Sequence, residues 1–237
     1  MKSMVLRAVS LAALLCVFTS AAQAQATDGT QANAQQLIAQ WNASNTTCRN
    51  QAASAIDAVG ACEQRDTVSK LLAQINYCHD PIDKGPSPGW APCSGARAQQ
   101  ASALARATAQ FQRMGGVFVL SGMLNGNTQT YFIVDSGAAT VQIPEEVAEQ
   151  LKRNGTLTDA DFMGQHRFIL ADGSGMQQRV FRLRTLQIGD RTMENVMATV
   201  GAPRSRALLG QSFLRRLSWW KIDNVKNAIE FEFTGAF

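Results

Sequence analysis

Asp135 follows three apolar residues, Phe132-Ile133-Val134, and precedes Ser136-Gly137-Ala138. An apolar strand delivers a carboxylate into a water-poor place. A Ser-Gly turn directly after it can bring backbone N–H groups to the carboxylate oxygens. A carboxyl group so placed suits general acid or base chemistry, because its surroundings set its protonation state. The same letters also make an ordinary β-turn, for which Asp, Ser and Gly are common choices. The apolar character on both sides, continuing to Val141-Gln142-Ile143, separates this segment from a bare turn. Nucleophilic chemistry is poorly supplied. A serine hydrolase needs a histidine beside its serine, and the chain has only His79 and His166. Ser136 also lacks a G-x-S-x-G setting.

Residues 132–143 resemble the active-site motif of the aspartic peptidases, three apolar residues then Asp-Ser/Thr-Gly-Ala/Ser. A second stretch agrees. Ala207-Leu208-Leu209-Gly210, followed by Gln211-Ser212-Phe213-Leu214, resembles the apolar-apolar-Gly and short helix near the end of retropepsins. In that family the apolar pair and the Gly pack beneath the aspartate loop, so Leu208, Leu209 and Gly210 are expected to support it. Between the two motifs, Ala171, Asp172, Gly173, Ser174 and Gly175 sit where the family has its flap hairpin. The resemblance covers about residues 115–233 and is greatest to the bacterial exported retropepsin-like peptidases.

That resemblance implies a fold and a mechanism. The fold is a mostly β, retropepsin-like acid-protease barrel. The reaction is peptide-bond hydrolysis by water activated between two carboxylates, with Asp135 catalytic and Ser136, Gly137 and Ala138 forming its loop. The chain carries one Asp-Ser-Gly, and Asp172-Gly173-Ser174 has the letters in another order. A pair of aspartates therefore requires two chains about a two-fold axis, a homodimer acting on a peptide or protein substrate. No cofactor and no metal is implied. The alternative is a module of the same fold that binds peptides or proteins without cleaving them.

The elements around Asp135 are legible in the spacing. Residues 116–123 and 128–134 are β-like runs joined by Asn125-Gly126, a strong hairpin signal. Residues 145–153 predict a helix stopped at Asn154-Gly155. Residues 166–171, 176–188, 193–200, 219–222 and 228–233 predict further strands, with Asp172-Gly173 as a tight turn. Ahead of Gly115 the texture differs. Residues 25–114 are rich in Ala and Gln, with Leu37, Ile38 and Trp41 on one helical face and Val68, Leu71, Leu72 and Ile75 on another. Asp66 is placed to cap the second helix, and residues 96–111 predict a third.

The start of the chain reads as an export signal. Lys2 and Arg7 precede a short apolar run, and Ala22-Gln23-Ala24 is a small-x-small cleavage site. Three parts are expected: a leader at 1–24, a disulfide-bonded helical domain at 25–114 and a peptidase domain at 115–237. Export places the protein in the periplasm. Cys16 leaves with the leader, and Cys48, Cys62, Cys78 and Cys93 remain, an even set that predicts two disulfides. The nested pairing, Cys62 with Cys78 and Cys48 with Cys93, suits a helical hairpin. The formal charge of +4 loses Lys2 and Arg7 with the leader. The weak balance left gives no reason to expect nucleic acid or a membrane surface as partner.

Overall fold

A computed structural model of the chain describes residues 19–79, 89–95, 99, 105–169 and 173–234, of which 19–30 are described by their backbone alone. The leader expected at 1–24 thus falls outside the described residues, apart from the backbone of 19–24. Among the described residues no helix is long and apolar enough to cross a membrane.

Two helices open the fold, α1 (Thr19–Arg49) and α2 (Ala55–Gln74). They form a hairpin in which Ile38 and Trp41 of α1 pack on Val68 and Leu72 of α2. Leu71 is 41% exposed, so the apolar stripe of α2 is narrower than its spacing suggested. Ser54 caps α2 by accepting the Asp57 N–H at 3.1 Å. Asp66 is therefore no cap. It lies inside the helix, buried, between the guanidinium groups of Arg65 and Arg216. Beyond α2, the short strands β1 (Tyr77–His79) and β2 (Trp90–Pro92) pair antiparallel.

Two disulfides form, but the nested pairing is overturned. Cys48 joins Cys62 across the α1–α2 hairpin, with Cα atoms 4.7 Å apart, and Cys78 joins Cys93 beside the β1–β2 pair, 5.0 Å apart. The helical turn brings the first two cysteines together and the small β pair brings the last two. Peptide mapping of unreduced protein is expected to recover the links 48–62 and 78–93, with no free thiol among these four. A 62–78 link would contradict this arrangement.

The remaining elements make a ten-stranded sheet. Its strands are β3 (Arg106–Met114), β4 (Val117–Leu124), β5 (Thr128–Val134), β6 (Val141–Ile143), β7 (Phe162–Ile169), β8 (Gly175–Ile188), β9 (Arg191–Val200), β10 (Ala207–Leu209), β11 (Leu217–Asp223) and β12 (Ala228–Phe233). Their order is β11-β12-β3-β4-β5-β10-β6-β9-β8-β7, and β4 also pairs with β8, which curls the sheet onto itself. Helix α3 (Glu145–Arg153) follows β6, and a short α4 (Gln211–Leu214) follows β10.

The helix expected at 96–111 is corrected for its described C-terminal part, since Arg106–Met114 is a strand. Alanine content suggested a helix there. The burial of Ala107, Ala109 and Phe111 between exposed neighbours has the period of two that marks a strand. The β unit thus takes in β3, which pairs with both β12 and β4. Asn125-Gly126 forms the expected turn between β4 and β5, with φ of 46° and 75°. The core lies inside the curled sheet, around Phe132, Leu120, Leu183, Ile188, Phe213 and Phe231.

A short 3-10 turn, Asp159–Asp161, leads into the β7–β8 hairpin. Asp161 is fully buried. Its Oδ1 accepts bonds from Arg182 at 2.6 and 3.0 Å and from Arg184 at 3.1 Å, and its Oδ2 accepts from Arg184 at 2.8 Å. Thr158 adds its N–H and hydroxyl, each at 3.0 Å from Oδ2. Burial alone would push this carboxyl up. The bonds from Arg184, Arg182 and Thr158 outweigh it and hold the group below the usual carboxylate range.

Candidate active site

Alternation along β5 decides what each residue faces. Phe132 is buried in the core, while Tyr131 and Ile133 point to the opposite side. β10 lies between β5 and β6. It runs parallel to β5, with Leu208 beside Ile133, and antiparallel to β6, with Leu208 beside Gln142. The chain leaves β5 at Asp135, turns and re-enters the sheet as β6, so the aspartate loop arches over the end of β10.

Within that loop the carboxylate is held from below. The Asp135 N–H donates to Leu209 O at 3.2 Å, and its side-chain Oδ1 accepts the N–H groups of Gly137 at 2.9 Å and Ala138 at 3.2 Å. Oδ2 has no partner among the described residues, and the side chain is partly exposed. Gly137 contributes room rather than an unusual φ: a Cβ there would come within 3.3 Å of Asp135 Oδ1. Ser136 is exposed.

The start of α4 clamps the loop. The Gln211 N–H donates to Ala138 O and its side-chain Nε2 donates to Ser136 O, both at 2.8 Å. Ser212 Oγ accepts the Val141 N–H at 2.8 Å and donates to Met197 O on β9 at 2.6 Å. Thr140 and Thr199 join their hydroxyls at 3.1 Å. Gly210 must be glycine, because a Cβ would sit 2.1 Å from Thr140 O and 2.7 Å from Ala138 O. Leu209 is buried beneath the loop. Leu208, Leu209 and Gly210 are thus brought under Asp135. Gln211 and Ser212 fall in the second sequence motif and Thr140 in the first, without a role read for them there, and Thr199 lies outside both.

An apolar groove of about 550 Å³ opens on the Ile133 side of the sheet. Met114, Val119, Tyr131, Ile133 and Ala207 line it, and Arg206 contributes to its wall. Its size is ordinary for a ligand site.

The β7–β8 hairpin stands apart from the core. Phe168 faces Met176 and Ile169 faces Gly175 across it, and Ile169 is 67% exposed. Ala171 and Asp172 lie outside the described residues. Gly173, Ser174 and Gly175 are exposed, and Gly173 has φ +82°. His166 is in the middle of β7, its ring stacked near Phe168, and His79 packs against Trp41 and Trp90 in the helical part.

Residues 120–216 match the family model described as gag-polyprotein putative aspartyl protease. That span runs from β4 past α4 and includes Asp135, the β7–β8 hairpin and Gly210. Among solved structures the chain is similar to a retropepsin-like aspartic protease from Rickettsia conorii. The identity is 21% over 54% of this chain and 90% of that chain, with a TM-score of 0.38. No curated protein matches the chain.

Proposed function

We propose, because residues 120–216 match the aspartyl-protease family model and carry Asp135 in its Asp-Ser-Gly loop, that the protein is an endopeptidase whose site is completed by a homodimer. The observation that carries this reading is the Asp135 carboxylate. Its Oδ1 is fixed by two loop N–H groups, and its Oδ2 has no partner among the described residues, at the end of a strand that borders an apolar groove.

One carboxylate cannot perform the reaction alone. One group of a pair takes a proton from the attacking water, while the other donates a proton to the carbonyl oxygen of the scissile bond. Two facing carboxylates do not both ionise easily, so the pair keeps one proton and works on the acid side of neutral. With one such loop per chain, the second Asp135 comes from a second copy. An extended peptide passes across Asp135, and the β7–β8 hairpin closes over it, adding strand-like hydrogen bonds and excluding water. The two disulfides suit an oxidising compartment. With the leader-like start, they support export to the periplasm.

Cleavage of denatured casein, with and without an aspartic-peptidase inhibitor, tests this function. Cleavage that the inhibitor suppresses is expected. Casein bound but left intact would favour the non-cleaving peptide-binding module.

A further inference from the structure

The helical hairpin is joined to the peptidase domain by buried charge. Asp66 of α2 accepts the Arg216 Nε–H at 2.6 Å, and the two side chains are only 6% and 2% exposed. Arg216 Nη1 donates to the carbonyls of Glu194 and Asn195 on β9, at 2.8 and 3.0 Å. Asn195 in turn donates to Cys48 O at 2.7 Å, beside the Cys48–Cys62 bridge. Lys70 and Glu63 of α2 hold Arg215, through its carbonyl and its guanidinium. A buried pair of this kind is costly to break on one side only, because the group left behind stays desolvated and uncompensated.

What Arg216 holds is connected to the aspartate loop by two routes. Its own N–H closes the end of α4 on Phe213 O at 3.1 Å, and α4 begins with the Gln211 that clamps Ser136 and Ala138. The β9 segment it grips continues to Met197, whose carbonyl accepts the Ser212 hydroxyl that supports Val141. Resting on the peptidase reading, we infer that Asp66 and Arg216 are positioning residues. They set the Asp135 loop through α4 and β9, so the helical hairpin is a working part of the enzyme and not a segment shed on activation.

The test compares wild type with the paired variant Asp66→Asn, Arg216→Met. The pair removes both charges together, so neither is left facing the gap of the other; Asn keeps an oxygen for Arg65, whose charge Glu194 still faces at 3.6 Å. Hydrogen exchange is followed at the amides of residues 135–143 and 210–214, together with kcat and KM on a peptide substrate. Exchange in these two segments is expected to quicken about tenfold, and kcat to fall about tenfold with KM within about twofold. Neighbouring strands such as β4 and β8 should keep their protection. A further Gln211→Ala change should then cost less in the paired variant than in wild type, because both act on one loop. Unchanged exchange in the loop would overturn the inference, as would uniform acceleration over the whole sheet. If wild type cleaves nothing, the peptidase reading fails separately, and loop exchange alone decides this one.

Discussion

Asp135→Asn is expected to lower peptide cleavage by about a thousandfold, within the range removed with a general acid or base, while thermal melting stays close to that of wild type. The local geometry explains both halves. Asn keeps a carbonyl oxygen where Asp135 Oδ1 accepts the Gly137 and Ala138 N–H groups, so the loop retains its shape. The amide nitrogen then takes the position of Oδ2, where it cannot accept a proton from water. Initial rates beside thermal melts measure the two effects. A variant that melts like wild type and cleaves equally well would remove Asp135 from the mechanism.

Asp161→Asn is expected to act on stability by about 3–5 kcal/mol, the cost of stripping one partner from a buried ion pair. Arg182 is almost fully buried and would lose its countercharge, whereas Arg184, with 45% of its side chain exposed, can turn to solvent. The pH dependence has a definite sign. The carboxyl is held below its ordinary range in the folded protein. Its contribution is therefore fully present above the unfolded value, about 3.9, and is lost as pH falls through the lower folded value. Urea unfolding should show a constant gap between wild type and variant from about pH 5 to 7, narrowing below about pH 4. This network roots the β7–β8 hairpin and stays intact in the mildly acid range where a proton-sharing pair works. Equal stability of variant and wild type at pH 7 would contradict this role.

How much of this was legible depended on how local the cause was. The Asp135 turn, the Asn125-Gly126 hairpin and the Gly210 crossing are each written in a few adjacent residues, and the structure places the Asp135 turn and Gly210 against each other. The strand at Arg106–Met114 was hidden because alanine favours helices. Its partners β4 and β12 decided otherwise, and β12 lies more than a hundred residues on. Asp66 looked like a cap because capping is a local pattern. The group that claims it, Arg216, is 150 residues away, and no short-range signal links them. The disulfide pairing failed for a similar reason. Even number and export predicted bridges, but the close approach of Cys48 to Cys62 follows from where α1 ends and α2 begins. Gln211 and Ser212 reach the loop from a turn over 70 residues downstream, so their role follows from topology.

Whether one site uses the Asp135 of two chains is decided by mixing. Wild-type and Asp135→Asn chains are combined in equal amounts, allowed to exchange fully, and assayed at constant total chain concentration. Random pairing leaves about a quarter of the dimers with two intact aspartates. Activity near a quarter of that of undiluted wild type is expected. Activity near a half, as independent complete sites would give, would contradict a shared site.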